Sequence, residues 1–141
     1  TARITEEVLG SPQEHVDETL KDVIKKLKEE KDLTVLTVQE HPAEEMENKM
    51  FSAFADIEFE TNSMKRVMEI CFDFMPSAIE ILDPAGVTMD SNDFTEMLND
   101  LLAKQHKYSF VLNKLKTENI YMMKKLNGEI KWKLKKERKL K

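Results

Sequence analysis

The chain's 141 residues are 40% hydrophobic and 35% charged, with a net charge of −5; these proportions fit one domain plus an appendage, a modest core and a densely charged surface. No run reaches the roughly 20 apolar residues of a membrane helix, and residues 1–7 lack the basic and apolar regions of a secretory signal. Cys71 is the single cysteine, so no internal disulfide forms, and a cytoplasmic protein without membrane contact is expected.

Ala2, Ile4 and Val8 fall on alternate positions, with Glu6 interrupting, which predicts a first strand at a sheet edge ending at Gly10. Ser11-Pro12-Gln13-Glu14 then has the form of a capping box with proline at the first helical position. Val16, Leu20, Val23, Ile24 and Leu27 follow at one-face helical spacing, so a helix to about residue 30 is expected, with Lys25, Lys26 and Lys28 complementing its dipole. Lys31-Asp32 reads as a turn, residues 33–38 as a β-branched strand and residues 41–49 as a polar loop.

Phe51, Ala53, Ala55, Ile57 and Phe59 alternate strictly, the clearest strand in the chain. Thr61, Asn62 and Ser63 offer N-caps for a second helix over 64–74. That helix is apolar on most sides, so it is expected to be deeply covered, and Pro76 stops it. Residues 79–82 form a fourth strand, and Asp83-Pro84-Ala85-Gly86 a turn. Strand-helix-strand, twice over, predicts an α+β ferredoxin-like βαββαβ sandwich over residues 1–86, with two helices on one face and the other face open.

Asn92 or Asp90 is placed to cap a further helix. Within it, Phe94, Leu98, Leu101, Gln105, Tyr108, Leu112, Leu115, Asn119, Met122 and Leu126 alternate spacings of 4 and 3. This is a heptad seam held over more than four repeats. The seam spans about 50 Å of helix, whereas a sandwich of roughly 85 residues measures about 30 Å across. A helix over 87–128 is therefore expected to associate with another copy, with Gln105 and Asn119 setting register, the alternative being a helix that bends back and docks only on its own domain. Met97, Leu102, Val111 and Met123 widen the stripe, as in a bundle of more than two helices or a helix shared between sheet and partner. Oligomer number and helix direction stay open.

Asn127-Gly128 carries a turn signal. Beyond it residues 129–141 form a basic tail in which Ile130, Trp132 and Leu134 alternate with lysines; a short strand, a frayed helix and a partner-ordered segment all fit. Lys131, Lys133, Lys135, Lys136, Arg138, Lys139 and Lys141 face only Glu137 over the last eleven residues, giving residues 131–141 +6 and leaving −11 on residues 1–130. Such a division speaks to partners rather than to fold. The tail reads as solvated or as neutralised by the acidic body of a neighbour. Nucleic acid is disfavoured because the acidic body opposes phosphate, and because only Phe54 lies on the open sheet face.

Chemistry-bearing patterns are few. His15, His41 and His106 have no second ligand at metal-site spacing, so no metal is expected. Asp90-Ser91-Asn92-Asp93 departs from a calcium loop at its fifth, sixth and twelfth positions and reads as a helix cap. Cys71 sits among apolar neighbours as a buried small hydrophobe. Gly10, Gly86 and Gly128 are too dispersed for a phosphate-cradling loop, so no nucleotide cofactor is expected. The methionines mostly fall at core or seam positions, such as Met64, Met68, Met97 and Met122.

Residues 59–84, above all Met75-Pro76-Ser77-Ala78-Ile79-Glu80-Ile81-Leu82-Asp83, resemble part of the ferredoxin-like cap domain of FAD-linked oxidases. The resemblance implies a helix leading into a strand. It implies no flavin chemistry, since that family's flavin-binding domain has no counterpart in this sequence.

A non-catalytic, homo-oligomeric binding or adaptor protein is the expectation these features support. Its alternatives are a small-molecule sensor with a ligand at a subunit interface near Gly10 and Ser11, and a weak nucleic-acid binder acting through the tail. An enzyme is not expected, because no nucleophile, base and electrostatic stabiliser converge by spacing.

Overall fold

The computed structural model describes residues 1–140. It is α+β, a four-stranded antiparallel sheet with helices, followed by a long C-terminal helix. The chain divides into two compact units, 1–93 and 94–141.

In the first unit the elements run β1 (Ala2–Gly10), α1 (Gln13–Lys28), β2 (Leu33–Glu45), a 3-10 turn (Glu47–Lys49), β3 (Phe51–Thr61), α2 (Met64–Phe74) and β4 (Ala78–Ile81). The sheet order is β2-β3-β1-β4, with every neighbouring pair antiparallel. This places β1 inside the sheet, where an edge strand was expected. It pairs on one side with β3, Ile4 opposite Ile57, and on the other with β4, Ile4 opposite Ile79.

Alternation decides the two faces. Ala2 and Ile4 of β1 and Ala53, Ala55, Ile57 and Phe59 of β3 are buried on one of them. Val16, Leu20, Ile24 and Leu27 of α1 and Val67 and Ile70 of α2 complete this core. By register Ile79 and Ile81 share that face, yet they keep 45% and 37% of their surface exposed, so cover thins over β4.

Local rules account for most of the element ends. The Ser63 hydroxyl accepts from the Arg66 amide at 3.2 Å, capping α2. Met75 then closes the helix in the left-handed region (φ 49°), donating its amide to the Cys71 carbonyl at 3.0 Å, and Pro76 follows. Losing this N-cap bond, Ser63→Ala is expected to cost about 1 kcal/mol in chemical denaturation; an unchanged midpoint would show the cap to be idle.

Three local expectations are corrected. The capping box at Ser11 does not form: α1 starts at Gln13 with Pro12 at the cap and no side-chain bond, so Ser11 lies one residue too early. Second, β2 continues to Glu45, through most of the segment expected to be a loop. An edge strand tolerates Pro42, which lacks a ladder donor, and register shifts at Val35/Thr37 and His41/Glu44 absorb the extra residues. Third, α2 is only partly covered. Val67 and Ile70 are buried, whereas Met68, Cys71, Phe72 and Phe74 are half-buried.

The second unit is carried by α3 (Ser91–Leu140), one unbroken helix of 50 residues. The Asp90 carboxylate accepts from the Asn92 amide at 2.8 Å, the capping role expected of this cluster. The Asn127-Gly128 turn signal is overridden, and the helix passes through both residues. A glycine inside a helix costs roughly 1 kcal/mol relative to alanine, less than a run of helix-forming Lys, Leu and Glu on both sides supplies. The basic segment is thus the last turns of α3, and its Lys141 lies outside the described residues. Lys and Arg at this end complement the helix dipole.

Candidate interaction surfaces

Three surfaces stand out: the seam of α3, its basic end and the open face of the sheet. All ten seam residues lie on α3, and their spacing brings them to one face of a continuous helix. None is buried. The eight apolar ones, from Phe94 to Leu126, keep between 43% and 65% of their surface exposed, and Gln105 and Asn119 are exposed as well. Isolated exposed leucines are ordinary, but a contiguous apolar stripe of this length marks an interaction surface.

At the basic end, Lys131, Lys133, Lys135, Lys136, Arg138 and Lys139 are all exposed. Lys136 Nζ stands 5.3 Å from the centre of the Trp132 ring, a cation–π distance. The helix holds these charges in fixed positions around its axis, which a tail would not.

The sheet face away from the helices is polar, ion-paired and acidic. Arg3 bridges Glu58 (Nη2–Oε1 2.5 Å) and Glu80 (Nη1–Oε2 3.3 Å), tying β1 to both neighbours. These carboxylates, Glu58 first, hold the Arg3 guanidinium above its ordinary range. Thr5 donates to Asp56 at 2.7 Å, and Ser52 to Glu7 at 3.0 Å. His41 stacks on Phe54 with centroids 4.1 Å apart and planes at 17°. Its Nε2 lies 3.4 Å from Asp56 Oδ2, within ion-pair range but without hydrogen-bond geometry.

A second charged cluster joins the turn that follows α1 to α2. Arg66 meets Glu30 (Nη2–Oε2 2.5 Å), Glu69 (Nη1–Oε2 3.1 Å) and the Lys31 carbonyl, at the rim of a cleft of about 920 Å³. The cleft is lined by both signs of charge, Lys26 and Lys31 among Glu29 and Asp73. The hydrogen bond to Glu30, ahead of that to Glu69, raises the Arg66 pKa. The lining keeps an acidic excess, Glu29, Glu30, Asp32, Glu69 and Asp73 against Lys26, Lys31 and Arg66, and the Arg66 pairs brace its rim.

Glu6 is the one buried charged residue among those described, 4% exposed, with Oε1 lacking a hydrogen-bond partner. Desolvation raises its pKa from 4.5 to about 7. The Cys71 thiol is pushed up first by burial and then by the Glu6 charge, so it is held away from the reactive thiolate. Both residues belong to the packing between sheet and helices.

The other sequence candidates are scattered. His15 and His106 are exposed on α1 and α3, away from any grouping of ligands. Among the described residues no group of three or more His, Cys, Asp or Glu is placed to hold a metal ion. Nor is any helix there long and apolar enough to cross a membrane. Ser11 is exposed, and a Cβ at Gly10 would make an ordinary 3.4 Å contact with Val16 Cγ2.

Residues 1–137 match the MJ0538 family, a span that includes the first unit and nearly all of α3. The chain belongs to that family. Neither the curated proteins nor the solved structures compared with it gave a match. The family match thus extends over body, seam and most of the basic end alike.

Proposed function

We propose that this member of the MJ0538 family is a non-catalytic assembly or adaptor module: a ferredoxin-like domain that self-associates through the seam of α3 and offers its remaining surfaces to a partner. The domain reading is supported by the strand-helix-strand, strand-helix-strand order and by the β2-β3-β1-β4 sheet. The helix-to-strand passage from α2 to β4 is also what the cap-domain resemblance implied. A single, half-buried cysteine is in keeping with a cytoplasmic setting.

One observation carries the functional reading. Apolar residues at heptad spacing run along a continuous helix, and none of them is buried. Burying a leucine or methionine is worth roughly 1.5–3 kcal/mol. A partner helix with the same 3.5-residue period gains that free energy at each layer. A second copy of the chain supplies such a helix.

Sedimentation velocity at micromolar concentrations tests this. In about 1 M salt, which screens contacts between charges, the wild-type chain is expected to sediment as an oligomer, and Leu112→Lys with Leu115→Lys as a monomer. Removing two seam leucines is worth about 4 kcal/mol, or roughly a thousandfold in dissociation constant. Amide exchange at β1 and β3 reports that the domain stays folded in the variant. A wild-type chain that sediments as a monomer at about 100 µM, weaker than any specific seam would give, removes the proposal.

A further inference from the structure

The two units carry opposite charge. Residues 94–141 hold thirteen Lys or Arg against five Asp or Glu, whereas residues 1–93 hold nine against twenty-two. On α3 the excess is patterned. Phe110, Tyr121 and Trp132 recur every eleven residues, and eleven residues at about 100° each complete three turns to within roughly 20°. The three rings therefore form a line along the helix, on the side opposite the seam. They keep 70%, 67% and 62% of their surface exposed.

Lys107, Lys114, Lys125, Lys135 and Lys139 share this line. From residue 107 to 139 no Asp or Glu falls within about 40° of it on a wheel of 100° per residue. A solvated helix face needs charge of either sign and has no use for three large rings. Lysines without carboxylates, interleaved with aromatic rings, suit an anionic surface that also offers apolar contact.

The open sheet face is such a surface. Register and alternation place Glu7, Glu44, Asp56, Glu58, Glu60 and Glu80 on it. Arg3 is the one Lys or Arg among the described strand residues of that face. Phe54 and the His41 ring stacked on it supply the aromatic contact. A helix laid on the uncovered face of a sheet is an ordinary way to complete a layered fold. The seam does not suit this place, because it would bury ion pairs against leucine.

We propose that the basic aromatic line of α3 in one copy docks on the acidic open sheet face of a second copy. This contact is separate from the seam. Copies joined through their seams are linked further by it into larger, salt-sensitive assemblies. Nucleic acid and anionic membranes also present phosphate, but the acidic residues 1–93 oppose both while forming the docking face for a neighbouring copy.

Sedimentation of the full chain in about 0.05 M and about 1 M salt tests this, since the Debye length falls from over 10 Å to about 3 Å. Species larger than the seam-bound oligomer are expected at low salt and are expected to vanish at high salt. Lys107→Glu with Lys114→Glu and Lys125→Glu abolishes them, as does Glu7→Lys with Glu60→Lys and Glu80→Lys, which leaves the Arg3–Glu58 pair intact. An equimolar mixture of the two reversed chains regains them. The seam variant Leu112→Lys with Leu115→Lys still shows salt-sensitive association, so failure of the seam and failure of this contact are distinguishable. The inference is overturned if the wild-type chain forms no larger species at low salt, or if either reversed chain associates like wild type. It is equally overturned if the mixture gives no rescue, or if cross-links between Lys114 and Glu60 form only within one chain. Binding of a single-stranded oligonucleotide or of phosphatidylserine vesicles by the basic line, without self-association, reassigns it and overturns the inference too.

Discussion

Glu6→Gln is expected to remove a loss of stability of about 3 kcal/mol that the wild-type chain suffers as the pH rises from 4.5 to about 7. The folded chain holds the Glu6 proton up to about pH 7, whereas the unfolded chain releases it near 4.5. Between those values the folded state binds more protons than the unfolded state, so its stability falls as the pH rises and then levels off above about 7. The cause is location. Glu6 sits in phase with Ala2 and Ile4 on the covered face, opposite Ala55, and its Oε1 has no partner. The titratable group that couples to it is the Cys71 thiol of α2, which offers no positive charge.

Urea unfolding of wild type and Glu6→Gln at pH 5 and pH 8 isolates this residue, because the other carboxylates cancel in the difference. The difference is expected to favour the variant more strongly at pH 8. Glu6→Met, which also removes the unsatisfied polar atom, should be more stable than wild type at pH 8. Equal pH dependence in wild type and glutamine variant would show that Glu6 reaches solvent or a cation when folded.

Phe59→Ala is expected to cost about 3–5 kcal/mol, a large part of the stability of a small domain. Phe59 is fully buried, lies on β3 between Ala2 of β1 and Val35 of β2, and lines a cleft of about 160 Å³ with Val67 and Ile81. Helix cover is thin on the β4 side, so little can close over the space a truncated ring leaves. Amide protection across β1 and β3 should drop sharply in the variant. Phe54→Ala, on the opposite face of the same strand, changes an exposed contact and serves as the control. Comparable losses at both positions would mean that the two faces had been misassigned.

The features legible in sequence are those set by neighbours a few residues apart. The alternation of β3, the buried stripe of α1, the Ser63 cap of α2 and the Pro76 stop all stand as read, because each is a local match of period or hydrogen bond. The heptad spacing likewise places the seam on one face of α3. The line of Phe110, Tyr121 and Trp132 is just as local, written at an eleven-residue interval on the side opposite the seam.

The turn signal at Asn127-Gly128 failed for the converse reason. It weighs two residues, whereas a helix propagates through many.

What amino-acid order determined by itself is the set of elements, their amphipathic faces and the division of charge between residues 1–130 and 131–141, since periodicity and composition need no knowledge of what lies alongside. Tertiary structure alone decided that β1 is interior, that β2 runs on through Pro42 as an edge strand and that Glu6, which interrupts the apolar pattern of β1, is buried. Each depends on pairing between segments far apart in the chain, such as Ile4 with Ile57 and with Ile79. Burial is a property of what covers a residue, and for Glu6 the cover arrives from helices later in the sequence.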